Sequence, residues 1–402
     1  MNEPRTAMDA ATRRRWVLML GTIIAIGPMT IDMYLPALPT LQAEFGVDTA
    51  RVQFTLSIYF VGLALGQSMY GPIADRYGRR RPLLVGLALY TLASLLCALA
   101  TTIEMLIASR LLQALGGCAG MVITRAMVRD RFDPTDTARI YASLVLVMGV
   151  APILAPLVGG QLLGISGWRA IFFALALFGA GCWAMAYRGL SETLAVRGAP
   201  IRIGCVLRAY AGLLGHRRFM GYALAGGLAS AGMFSYISGA PFVFIEVFGV
   251  PAAQFGWLFG GNAAGFVLVS QCNGWFLDRW SPDRVLRWGL CAHAGFALLM
   301  ALAAVTRTAG LAGVALPLFL CVSALGLVFA NATAMAMAPF GTQAGLAAAG
   351  MGMLQFAAAA IGGAAVGHLH DGTAVPMSIV VAGCAVLAAV LLRLLAPPSR
   401  GG

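Results

Sequence analysis

Residues Gly71 to Pro82 read G-P-I-A-D-R-Y-G-R-R-R-P, an arginine-dense turn between two apolar stretches. Gly274, Asp278 and Arg279 repeat its Gly71, Asp75 and Arg76 at an offset of 203 residues, and Phe45-Gly46-Val47 returns as Phe248-Gly249-Val250 at the same offset. In a chain of 402 residues that offset is close to half the length, so the sequence reads as a tandem duplication of two parallel halves.

Apolar residues make up 60% of the chain and charged residues only 10%, with a mean hydropathy of +0.85. Soluble domains carry about 25% charged residues, so this composition belongs to a membrane. The net charge of +12 comes from 27 basic residues, every one an arginine. Without lysine there is neither a Walker-type phosphate loop nor Schiff-base chemistry.

Hydropathy predicts twelve spans of about 20 residues, near 15–37, 52–74, 82–101, 105–127, 140–164, 168–188, 219–245, 252–275, 285–306, 309–337, 346–367 and 374–396. An even number puts both termini on one side. Twenty-three of the 27 arginines fall there, against Arg51, Arg169 and Arg307 opposite and Arg110 within a span. The positive-inside rule makes the arginine-rich side cytoplasmic and explains the net charge without nucleic acid. Arg13-Arg14-Arg15 leads into an apolar run too long for a cleavable signal, and reads as the start of the first span.

The eight cysteines are at least 19 residues apart, so no metal or redox pair is expected, and no disulfide. His368, His370 and Asp371 read as polar residues at a helix exit rather than as metal ligands. No cofactor and no metal are expected.

Ionisable residues at hydrocarbon depth are expensive and mark functional sites. Asp32 and Arg110 are two such residues, each about 8 Å below the outer surface at 1.5 Å per residue. At that shared depth they are expected to face each other, either as a structural ion pair or as a proton switch in which movement alters the pairing. Tyr34, Tyr59, Gln113, Tyr236, Asn262, Asn331 and Gln355 are polar positions within spans and the candidate lining of a substrate cavity, the alternative being bonds between helices. Met335, Met337, Met351 and Met353, with Phe234, Phe242 and Phe356, suit a pliable apolar wall.

These motifs resemble the major facilitator superfamily along nearly the whole chain. Gly71-x3-Asp75-Arg76-x-Gly78-Arg79-Arg80 resembles its signature loop, and Arg110-x2-Gln113 with Gly116 and Gly117 its fourth-span motif. Ala155-Pro156-x2-Gly159-Gly160 is similar to the antiporter motif, with alanine for its first glycine, and Leu190-Ser191-Glu192-Thr193-Leu194 to the segment after span six. Ile31-Asp32-Met33-Tyr34-Leu35-Pro36-Ala37-Leu38-Pro39 is similar to the first span of the bicyclomycin, sulfonamide and chloramphenicol exporters of bacteria, the Bcr/CflA type.

The resemblance implies an all-helical major facilitator fold, with six-helix bundles at 1–188 and 218–402 joined by a cytoplasmic linker at 189–217. It implies drug:proton antiport across the bacterial inner membrane by a monomer, with small amphipathic drugs, protons and membrane lipid as partners. Asp32 and Arg110 would couple the proton. Gly71, Asp75, Arg76, Gly78, Arg79 and Arg80 would form a conformational latch, the two glycines allowing a tight turn and Asp130 answering the arginines. Pro156, Gly159 and Gly160 would bend span five into a seal against leakage. Export of a metabolite or amino acid by the same fold is the alternative, proton-coupled uptake is disfavoured by the antiporter motif, and no cluster of catalytic residues suggests an enzyme.

Overall fold

A computed structural model describes residues 10–132, 134–194 and 203–396. Part of the expected linker, residues 195–202, lies outside them. The regular elements of the described residues are helical, as hydrocarbon demands, because there each backbone N–H and C=O must find its partner within its own segment.

Among the described residues twelve helical spans are long and apolar enough to cross a membrane: α1 (Thr12–Phe45), α2 (Thr49–Tyr77), α3 (Arg80–Ala98), α4 (Ile103–Arg131), α5 (Val147–Ser166), α6 (Trp168–Gly189), α7 (Arg217–Val247), α8 (Ala252–Leu277), α9 (Pro282–Thr306), α10 (Gly310–Phe340), α11 (Gly345–Leu369) and α12 (Val375–Leu395). Local chemistry sets their ends. Asp48 caps α2 by accepting from the Arg51 N–H at 2.7 Å, and Thr102 caps α4 by accepting from Met105 at 3.2 Å. Gly46 and Gly249, 203 positions apart, follow α1 and α7 in the left-handed region at φ +61° and +68°, so the duplication seen in the sequence is also a duplication of backbone geometry.

α1 is not continuous. It breaks between Ile24 and Ile26, ends a regular turn at Asp32, passes through a 3-10 turn at Leu35–Ala37 and resumes at Leu38. Pro28, Pro36 and Pro39 each lack the N–H that a continuous helix would use, which accounts for interruptions at these points. α7 has the matching irregularity, a π-helical turn at Phe242–Val247 directly after Pro241.

Within the first half α4 packs on α2 and α3, and α3 packs on α6. Within the second, α10 packs on α8 and α9, and α9 on α12, which is the same arrangement shifted by six spans. The halves meet along two seams, α2 with α11 and α5 with α8, which a pseudo-twofold axis exchanges. This is the major facilitator fold of two six-helix bundles. The outer surface is apolar, with Val85, Leu92, Ile165, Leu177, Leu302 and Ile361 among its exposed side chains, as suits lipid contact.

Small residues make the close seams possible. A Cβ at Gly116 of α4 would run into the backbone of Gly86 and Tyr90 on α3. Gly116→Val is therefore expected to lower stability by about 1–3 kcal/mol, read as thermal unfolding of the purified protein in detergent. Gly164→Ala, where a Cβ meets nothing within 4 Å, should leave the midpoint in place. Equal midpoints for both variants would show that the α3–α4 seam relaxes.

Candidate functional site

Arg110 of α4 is completely buried and has no carboxylate partner among the described residues. Aromatic faces hold it. Its guanidinium carbon lies 4.3 Å from the Tyr59 ring centroid, 4.7 Å from Tyr34 and 5.9 Å from Phe172, within cation–π range. Nη1 donates to Gln113 Oε1 at 2.6 Å and to the Thr30 carbonyl at 3.4 Å, while Nε and Nη2 have no partner. The amide of Gln113 donates in turn to Ser94 Oγ at 2.8 Å, and Ser94 donates to the Tyr90 carbonyl. The Tyr90 hydroxyl closes the ring of contacts on Thr30 at 2.7 Å.

The expected pairing of Asp32 with Arg110 is absent. No hydrogen bond or ion pair reaches the Asp32 side chain from the described residues, although only 4% of the residue is exposed. The reason is helical phase: Thr30 turns toward α3 and α4, and a residue two positions on projects roughly 200° away. Asp32 lies instead in electrostatic range of Tyr236 on α7, in the other half, whose hydroxyl accepts from Asn262 Nδ2 at 2.9 Å. Shared depth was legible in the sequence; shared direction was not.

Between the halves, at the arginine-rich end, lies a cavity of about 1150 Å³ whose lining includes Gln67, Tyr70, Arg125, Arg129, Met148 and Met337. None of the seven expected cavity residues lines it. Tyr34, Tyr59 and Gln113 build the Arg110 cage, Tyr236 and Asn262 bond each other, Asn331 bonds Asn273 at 2.8 Å between α10 and α8, and Gln355 lies half-buried on α11 near Gly226. A polar group at hydrocarbon depth is satisfied most cheaply by another helix, and most of these found such a partner. Arg125 and Arg129 belong to the arginine bias that the positive-inside rule explains, yet both are exposed on the cavity wall. Their i, i+4 spacing, which puts them on one helix face, was the signal available. Deeper in the seam Phe60, Phe234 and Phe356 from α2, α7 and α11 cluster, the first two with centroids 4.3 Å apart.

Toward the opposite end α5 makes close backbone contacts. A Cβ at Gly159 of α5 would meet the Met33 carbonyl in the break of α1, one at Gly160 would lie 2.9 Å from the Ala252 carbonyl, and one at Gly256 would lie 2.8 Å from the Leu157 nitrogen. α5, with Pro152 and Pro156 inside it, thus rests on α1 and α8 together.

The arginine turn is narrower than expected. α2 runs to Tyr77 through Pro72, so Gly71 is a helical residue beside the cavity and has no part in the turn. Of the two glycines only Gly78, at φ +91°, lies in it, followed by Arg79. Arg79 is held by Asp75 and by Asp130, the latter at 2.7 Å, and Arg80 donates to the carbonyls of Leu190 and Tyr187. Arg76 is half-buried. Glu192 accepts from the backbone N–H of Arg79 at 2.8 Å and of Arg80 at 3.2 Å, capping α3 from the far end of α6. Burial opposes its charge, but the N–H groups of Arg79, Leu194, Arg80 and Thr193 outweigh burial and hold the Glu192 carboxyl below its ordinary 4.5. A depressed acid stabilises above its ordinary value, so this cap is fully formed at neutral pH and is lost only as pH falls well into the acid range. In the second half Asp278 and Arg279 form no such cluster among the described residues. Arg279 lies on Trp275, and the nearby ion pair is Asp283 with Arg287 at 2.9 Å.

At the exit of α11 the His370 ring packs on Phe242, and Asp371 accepts from Thr373.

The sequence matches the Major Facilitator Superfamily over residues 18–367. An uncharacterized MFS-type transporter of Bacillus subtilis, YdgK, is 35% identical over 92% of both chains. A bicyclomycin resistance protein homolog of Haemophilus influenzae is 28% identical over 92% of this chain and 94% of its own, and a chloramphenicol resistance protein of Pseudomonas aeruginosa is 32% identical over 82% and 76%. A solved bacterial homolog of the lysosomal transporter Spinster, inward-facing and occupied, superposes with a TM-score of 0.77 at 14% identity, covering 96% of this chain and 97% of that one. The chain belongs to the major facilitator superfamily, a transporter rather than an enzyme, in the group that its bicyclomycin- and chloramphenicol-resistance relatives represent.

Proposed function

We propose that this protein is a drug:proton antiporter of the bacterial inner membrane, a monomer with both termini in the cytoplasm that exports small amphipathic drugs by alternating access. The observation that carries the reading is the asymmetry of the seam: a large cavity at the arginine-rich, cytoplasmic end, and close backbone contact of α5 with α1 and α8 at the other. Relatives named for resistance to bicyclomycin and chloramphenicol support the substrate class.

Asp32 supplies the proton site. A buried carboxylate without a partner is far costlier than a carboxylic acid, so loading a proton is what lets the seam close around it. In the state with the cytoplasmic cavity, protonated Asp32 leaves Arg110 to its aromatic cage. Once the proton departs, the unpartnered Nε and Nη2 of Arg110 become donors for the carboxylate, and that attraction turns the Asp32 stretch of the interrupted α1 toward α4. Drug and proton then load alternately. Pro156, Gly159 and Gly160 keep the outer end shut meanwhile, and the Arg79 cluster stiffens the cavity end of the first bundle by tying the α2–α3 turn to α4 and α6.

Asp32→Asn is expected to insert and fold but to lose more than about tenfold of chloramphenicol uptake driven by a pH gradient in everted vesicles. Full proton-driven transport by that variant would overturn the mechanism.

Asp75→Asn should slow the same transport severalfold by loosening Arg79, whereas Asp278→Asn, outside any such cluster, should transport as wild type. Equal slowing by both, or none by Asp75→Asn, would reduce the arginine turn to a topological anchor.

A further inference from the structure

On the outer face of the first bundle, α1 and α6 enclose a groove of about 770 Å³ lined by Arg14, Arg15 and Arg188 at one end and by Leu18, Met185 and other small or apolar residues along its walls. The three arginines are exposed, and no described carboxylate pairs with them. Their neighbour Arg13 shows the contrast: it is bound to Asp136 at 2.8 Å and lies over Phe132. Trp183 and Tyr187 on α6 stack with centroids 5.3 Å apart and remain 37% and 54% exposed, the habit of aromatic residues at the level of lipid headgroups. Arg188 follows them directly in sequence, so the cationic end of the groove lies at that level and the apolar walls run on into the hydrocarbon.

We propose that this groove is a binding site for an anionic phospholipid of the two-phosphate, diphosphatidylglycerol class. Guanidinium groups hold phosphate oxygens through paired N–H bonds, and three of them at one mouth match two phosphates. Basic recesses between spans at the positively charged membrane face suit such headgroups. A free phosphate would use the arginines and leave the walls idle, while an acyl chain fills them beside Leu18, which is 61% exposed. A lipid seated here joins the base of α1, the helix that carries Asp32, to α6.

Gly181 provides an independent test, because a Cβ there meets nothing within 4 Å. Gly181→Leu is therefore accommodated by the fold and fills the groove without removing charge. The full-length protein, stripped of lipid in detergent, is titrated with diphosphatidylglycerol and the adducts are counted by native mass spectrometry. The combined Arg14→Gln, Arg15→Gln and Arg188→Gln variant and Gly181→Leu are each expected to bind at least about tenfold more weakly than wild type. Arg393→Gln, which removes an arginine from α12 in the other bundle, should bind as wild type. Wild-type affinity in the triple variant or in Gly181→Leu overturns the site, as does equal affinity for zwitterionic phosphatidylethanolamine. Displacement of the lipid by millimolar inorganic phosphate would show that the arginines take a free anion instead.

Discussion

Helices already inside hydrocarbon gain little from burying apolar side chains against each other, because the lipid is as apolar as they are. Their association rests on close packing and on the few polar bonds that span them. In this protein that constraint shapes each seam. Gly116 brings α4 onto the backbone of α3, and Gly62 and Gly66 bring α2 onto Ala114 and Cys118 of α4. Gly159, Gly160 and Gly256 bring α5 onto α1 and α8, so one of the two seams between the halves rests on close backbone contact. A seam of glycine and backbone is shallow and nearly free of side-chain interlocking, which suits surfaces that must part and re-form.

The same constraint governs the charges. Arg110 cannot be solvated where it lies, so Tyr34, Tyr59 and Phe172 supply π-faces and Gln113 supplies an oxygen. That cage leaves two guanidinium nitrogens idle in the state described. Asp32, placed where α1 loses its helical continuity, packs with the first bundle yet lies in electrostatic range of Tyr236 in the other. In the proposed mechanism, coupling rests on one group caged within a bundle and another within reach of both.

Three groups of arginines occupy environments that composition alone merges. Arg79 is locked between Asp75 and Asp130, Arg125 and Arg129 face the cavity, and Arg14, Arg15 and Arg188 crown a lipid-facing groove. A bias that the positive-inside rule treats as a single topological signal is divided among turn, cavity and surface by which helix face each residue occupies.

The twelve spans, their duplication and the helical class were determined by the sequence itself, since apolar length and charge position act locally and the repeat at 203 residues appears again in the φ angles of Gly46 and Gly249. The buried pair of interest, Asp32 and Arg110, was legible as two charges at one depth. That they point apart, that Gly71 lies in a helix while only Gly78 turns the chain, and that the cavity is walled by Gln67, Tyr70, Arg125 and Arg129 instead of the polar residues deeper in the spans, was decided only by tertiary structure. Depth along a helix depends on residue count, which a sequence states directly. Direction around it depends on the break at Ile24, on the prolines that interrupt α1 and on which neighbours each face meets, and these are fixed only when the helices have packed.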